Sequence, residues 1–185
     1  MSSSQNGDHS GREVMKRRTA YEIALKGMLV ALAFVLSYIE SCLPLSGSIP
    51  GVKLGIANIV VAVALYTYGN KTALMVSAIR VLLAGLTFAN AYTLIFSAAG
   101  AVLSFICMAL LKRYTKASIK GVNIAGAVMH NTAQTVTAAI LLKNKWLLLN
   151  YWPILIVAGV VMGTITGLLC EMVLKRIGGS PAKLI

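Results

Sequence analysis

Polar interruptions cut this chain into a row of apolar stretches. The opening MSSSQNGDHS is polar and leads to the basic run Lys16, Arg17 and Arg18. An apolar stretch then runs from about Tyr21 to Leu43 and stops at Pro44, where LSGSIPG carries the Gly and Pro marks of a turn. Further stretches cover about Leu54 to Tyr68, Lys71 to Phe88, Ala91 to Leu111, Val122 to Leu142 and Trp152 to Leu174. A membrane-crossing helix needs about 20 mostly apolar residues to pass ~30 Å of hydrocarbon. The pattern therefore predicts an all-α polytopic membrane protein with about six transmembrane helices. The second is short enough to tilt, kink or lie partly inside protein. Three domains follow: a disordered basic tail over 1–19, a six-helix transmembrane domain over 20–177 and a short tail over 178–185.

Composition agrees with that reading. Of 185 residues, 58% are apolar and only 12% charged, with a mean hydropathy of +0.80. A soluble domain is nearer half apolar and a quarter charged. These values exclude a soluble enzyme, a disordered chain and a disulfide-stapled secreted domain. The net charge of +12 does not indicate nucleic acid, because the basic residues collect at the ends of apolar runs rather than on one interleaved face.

Their distribution sets an orientation instead. With the N-terminus inside, Arg12, Lys16, Arg17, Arg18, Lys26, Lys71, Lys112, Arg113, Lys116, Lys120, Lys175, Arg176 and Lys183 fall on the inner side. Lys53, Lys143 and Lys145 fall outside, and Arg80 lies within a span. The positive-inside rule places both termini in the cytoplasm. Trp146, Tyr151 and Trp152 then mark the outer interface of the last hairpin, as a membrane anchor or as a ligand lid. Cys42, Cys107 and Cys170 are far apart and form no CxxC pair, so they read as small buried apolar residues. No metal and no cofactor is expected.

Ionisable groups in a span cost ~2.5–3.5 kcal/mol on insertion scales and so face a bundle interior or a wet cavity. Of the five acids, Asp8, Glu13 and Glu22 precede or begin the first span, and Glu171 can pair with Lys175 one turn on. Glu40 remains as the acid at depth. At 1.5 Å per residue, Glu40, Lys53, Asn58, Arg80, Asn90, His130, Asn131 and Gln134 fall between the midplane and the outer end of the bundle. No comparable set is read in the inner half. His130 and Gln134 share a helix face, with Asn131 beside Gln134. The eight are the candidate substrate-binding residues of a polar cavity opening outward. Two alternatives stay open: the amides can bond neighbouring helices, and Glu40 with Arg80 can be an ion pair that only ties helices together.

Small residues recur at packing intervals. Gly159, Gly163 and Gly167 suit close packing within the chain. Ala20, Ala24, Gly27 and Ala31 suit either internal packing or the docking of a partner.

Five segments carry a family resemblance: ESCLP from Glu40, PGVKLGIAN from Pro50 to Asn58, IRV around Arg80, FSAAGAVLS from Phe96 to Ser104, and GAVMHNTAQ from Gly126 to Gln134. Together they resemble the bacterial Gx transporter family, also labelled heptaprenyl diphosphate synthase component I, over about residues 20–175. That family is similar to the substrate-binding S components of energy-coupling factor (ECF) transporters. The resemblance implies a six-helix protein of the cytoplasmic membrane. It further implies an outward-facing solute site and a small-residue motif on the first helix for a coupling subunit with its ATPases. The chain has no nucleotide motif of its own.

The synthase label implies a different role, an accessory to a prenyltransferase in heptaprenyl diphosphate or quinone synthesis. All-trans prenyl synthases hold magnesium on aspartate-rich motifs. This chain has Asp8 as its one aspartate, no DDxxD and no paired carboxylates in a span, so catalysis by this polypeptide alone is not expected. The family's association with flavin-linked membrane redox proteins implies a third role, as membrane partner in electron transfer to the exterior.

Overall fold

The computed structural model describes residues 3–42, 55–88 and 91–177. These form six α-helices, and no strand occurs among the described residues. They are α1 (Ser3–Cys42), α2 (Ile56–Thr67), α3 (Asn70–Thr87), α4 (Ala91–Tyr114), α5 (Ile119–Leu141) and α6 (Trp152–Arg176), with a π-helical turn at Leu147–Tyr151 before α6.

The boundaries have local causes. Gly69, at φ 83°, makes the sharp link from α2 to α3, a conformation that glycine adopts without steric cost. The α5 helix starts three residues before the expected Val122, because the Ser118 Oγ accepts from the Gly121 N–H at 3.2 Å and caps it. Lys112 and Arg113 extend α4 by its last turn, where cations meet the negative end of the helix dipole. At the other end of the chain α1 reaches back to Ser3, so helix occupies the segment expected to be a disordered tail. Its REVMKRR portion is built of residues with good or fair helix propensity.

Three segments are long and apolar enough to cross a membrane: Thr19–Cys42, Ala91–Tyr114 and Leu147–Arg176. Apolar side chains such as Leu32, Val35, Val102, Ile106, Val157 and Val161 point outward from them, a continuous surface that water does not tolerate and lipid does. The α2 helix is different. Its 12 residues span about 18 Å, and all side chains from Val60 to Tyr66 are buried. A helix apolar on every face belongs in an interior. The short second stretch therefore lies inside protein, as its length allowed.

The helices close into a ring of contacts, α1 to α3 to α4 to α5 to α6 to α2 and back to α1, with α2 also touching α3. One end of this ring is solid, filled by Leu65, Val76, Val122, Cys170 and Leu174, all fully buried. At that end the Lys112 ammonium donates to the Leu65 carbonyl at 2.6 Å and lies 4.7 Å from the Tyr66 ring centroid, so α4 caps the C-terminus of α2. Glu171 pairs with Lys175, as expected, at 2.9 Å, and with Lys120 on α5 at 3.3 Å.

The α5–α6 seam explains the glycine ladder. A Cβ on Gly159, Gly163 or Gly167 would stand 3.1, 2.6 or 3.0 Å from the Cα of Val128, Ile124 or Lys120. These helices meet backbone to backbone, and the ladder is internal packing. The cysteines divide. Cys170 is buried, Cys107 is half-buried and Cys42 is exposed, so the expectation that all three are buried fails at Cys42, on an outward face of α1.

A polar cavity inside the helical ring

The opposite end of the ring is hollow. A cavity of about 330 Å³ lies there, lined by side chains from all six helices. Glu40 and Ser37 reach it from α1, Asn58 from α2, and Arg80 and Phe88 from α3 and its end.

The groups at this end are joined across the helices. Gly55, at φ 71°, is the N-cap of α2, and its N–H donates to the Glu40 Oε1 at 2.6 Å. The carboxylate thus holds the start of α2 against α1 with a short, charge-assisted bond. The Arg80 guanidinium crosses from α3, its Nη2 donating to the Asn58 Oδ1 at 3.2 Å and its Nη1 to the Ser37 Oγ at 3.5 Å. Glu40 also attracts Arg80 electrostatically. Arg80 is 8% exposed, and its Nε has no hydrogen-bond partner among the described residues.

On α4, α5 and α6 the lining recurs every seven residues: Ser97 and Ser104, His130 and Asn123, Gly159 and Thr166. Seven residues are two turns, about 10 Å. Because these helices are antiparallel, the pairs form two ranks, with Ser97, His130 and Gly159 nearer Arg80. Ser104, Asn123 and Thr166 lie deeper, beside Met108 and Gly126. The inner part of the bundle therefore does carry polar groups. They escape a count of charged and outer-half polar residues because short hydroxyls bond within their own helices: Ser104 to the Met108 Sδ at 3.8 Å, Thr166 to the Gly163 carbonyl at 3.3 Å.

Of the eight residues expected to bind substrate, Glu40, Asn58, Arg80, His130 and Asn131 line the cavity. The Asn131 Nδ2 is also committed to the Leu155 carbonyl at 3.0 Å, which ties α5 to α6. Gln134 is buried but outside the lining; a turn beyond His130, its Cγ packs on Gly100. Lys53 and Asn90 lie outside the described residues. Ser37, Ser104, Asn123 and Thr166 were not among the candidates. The available signal was spacing, since Ser37 is one turn from Glu40 and Asn123 two turns from His130. Trp146, Tyr151 and Trp152 are not part of the lining, and the Trp152 indole N–H donates to the Thr132 Oγ1 at 3.2 Å.

Ala20, Ala24, Gly27 and Ala31 all face outward on α1, and a Cβ at Gly27 would meet nothing within 4 Å. Comparison with known proteins finds no match among curated proteins or solved structures. A family model does match, over residues 29–173, an interval that holds every described cavity residue. The chain belongs to the heptaprenyl diphosphate synthase component I family.

Proposed function

We propose that this protein is a membrane subunit of the S-component type that binds a small organic solute in the ring cavity and relies on a partner module for energy. In this reading it crosses the bacterial cytoplasmic membrane six times, with both termini inside and the cavity toward the outside. The observation that carries it is the cavity itself, with a buried arginine whose Nε–H has no partner among the described residues. Its 330 Å³ is at the small end of the range for ligand pockets. The small-residue stripe of α1, exposed at Ala20, Ala24, Gly27 and Ala31, supports the docking of a coupling subunit, since close helix approach needs small side chains.

The family's description supports a second reading, a non-catalytic accessory of a prenyl diphosphate synthase.

Mass spectrometry of small molecules and lipids released from the purified chain, from Arg80→Gln and from Glu40→Gln/Arg80→Gln separates these readings. The solute reading expects a compound enriched with the unaltered chain, depleted in Arg80→Gln and not restored in the double variant, all three folding alike. If Arg80→Gln is itself lost and the double variant recovers both folding and compound, Arg80 belongs to an ion pair and leaves the site. Release of a prenyl diphosphate or quinone precursor favours the accessory role.

A further inference from the structure

The donors and acceptors around the cavity are sorted by depth. At the Glu40 end, Arg80 brings a positive charge and an Nε–H with no hydrogen-bond partner among the described residues, while its terminal nitrogens are held by the neutral oxygens of Ser37 and Asn58. Asn58 accepts from Arg80 through its carbonyl oxygen and keeps its NH₂ donors. Beside the Glu40 carboxylate, this end thus offers a guanidinium and amide donors to an acceptor.

The two hydroxyls of the deeper rank are the reverse. Ser104 and Thr166 are buried, at 6% and 5% exposure. A hydroxyl has one proton, and each of these is directed within its own helix, to the Met108 Sδ and to the Gly163 carbonyl. What they present to the cavity is lone pairs. Between the two ends the apolar side chains of Val81, Leu94, Ala127 and Met162 alternate with the polar Ser97 and His130. A molecule matched to this cavity has an acceptor head at Arg80 and a donating tail in the deeper rank, the two ranks of the lining being about 10 Å, two helical turns, apart.

Charge narrows the head group. Arg80 favours an anion, because a guanidinium forms charge-assisted bonds to a carboxylate or phosphate. Glu40 is close enough to attract Arg80 and equally to repel a second negative charge. A dianionic phosphate meets that repulsion twice over; a monoanionic carboxylate meets it once.

Resting on the reading of this cavity as a ligand site, we propose that it takes a slender organic monocarboxylate about 10 Å long, its carboxylate at Arg80 and a hydroxyl or N–H donor at the Ser104–Thr166 end. Both ends contribute. A simple fatty acid leaves the deep lone pairs without donors, and a neutral diol leaves the guanidinium without an anion; each omission is costly in a buried site.

The test is calorimetric titration of the full chain in nanodiscs, against empty nanodiscs, with 8-hydroxyoctanoate, octanoate and 1,8-octanediol. The hydroxy acid is expected to bind at least tenfold more tightly than either of the others. The Ser104→Ala/Thr166→Val variant closes the gap between hydroxy acid and octanoate, and Arg80→Gln closes the gap between hydroxy acid and diol. Octanoate or diol binding as tightly as the hydroxy acid to the unaltered chain overturns the proposal while leaving the cavity a ligand site. Failure of all three probes to bind also overturns it, and the compounds released from purified protein then judge the ligand reading separately. If Arg80→Gln does not fold, the comparison of the three probes and the Ser104/Thr166 arm still decide the case.

Discussion

Gly163 and Ile124 stand so close that a Cβ added to the glycine would lie 2.6 Å from the isoleucine Cα. The obstacle is backbone, so it cannot rotate away, and α5 and α6 would have to separate. Gly163→Ala is expected to lower stability by about 1–3 kcal/mol, the usual range for overpacking. Gly27→Ala, where nothing lies within 4 Å, is expected to be neutral or slightly stabilising. Thermal unfolding of both variants in the same nanodisc checks the contrast; equal midpoints would mean that the seam yields freely.

Lys112 binds the end of α2 through the Leu65 carbonyl at 2.6 Å. Lys112→Met keeps the apolar stem and loses the charged donor, leaving a helix-terminal carbonyl without it. A loss of about 1–2 kcal/mol is expected, with faster amide exchange over the last turn of α2. Unchanged exchange there would show that this cap contributes nothing.

Lys143 sits at φ 50° after α5, and the Asn144 N–H reaches back to the Ala139 carbonyl at 3.0 Å. This is the Schellman end of a helix, where glycine is the residue without a steric penalty. Lys143→Gly should raise stability by roughly 0.5–1 kcal/mol, read as a higher unfolding midpoint. A lower midpoint would mean that the lysine side chain contributes more than its backbone strain removes.

Orientation is open to chemical labelling. Lys145 and Thr115 are both exposed and lie at opposite ends of the ring. With both termini inside, a cysteine at 145 is labelled by an impermeant maleimide added to intact cells, and one at 115 only after lysis. The opposite pattern would turn the cavity toward the cytoplasm and end the uptake reading.

The order of the six helices was legible from the spacing of polar breaks, because the apolar length of each stretch reports its need for burial or lipid. The conspicuous polar residues Glu40, Asn58, Arg80 and His130 were legible as well, since charge and amide groups stand out against an apolar background. Composition could not reveal that α2 is a core helix. Its residues read the same whether they meet lipid or protein, and only the helices packed on it show which.

Likewise, Ser104 and Thr166 resemble ordinary small helix residues, and Gln134 resembles a ligand-binding one. Which face each presents depends on how α4, α5 and α6 rotate against one another. That rotation is set by the close backbone approach at Gly163 and its neighbours, a contact between residues about 40 positions apart in the chain. The sequence determined the helices, their lengths and the polar groups they carry. The tertiary structure decided which of those groups share a cavity, because facing is a property of packing between helices and not of any one helix.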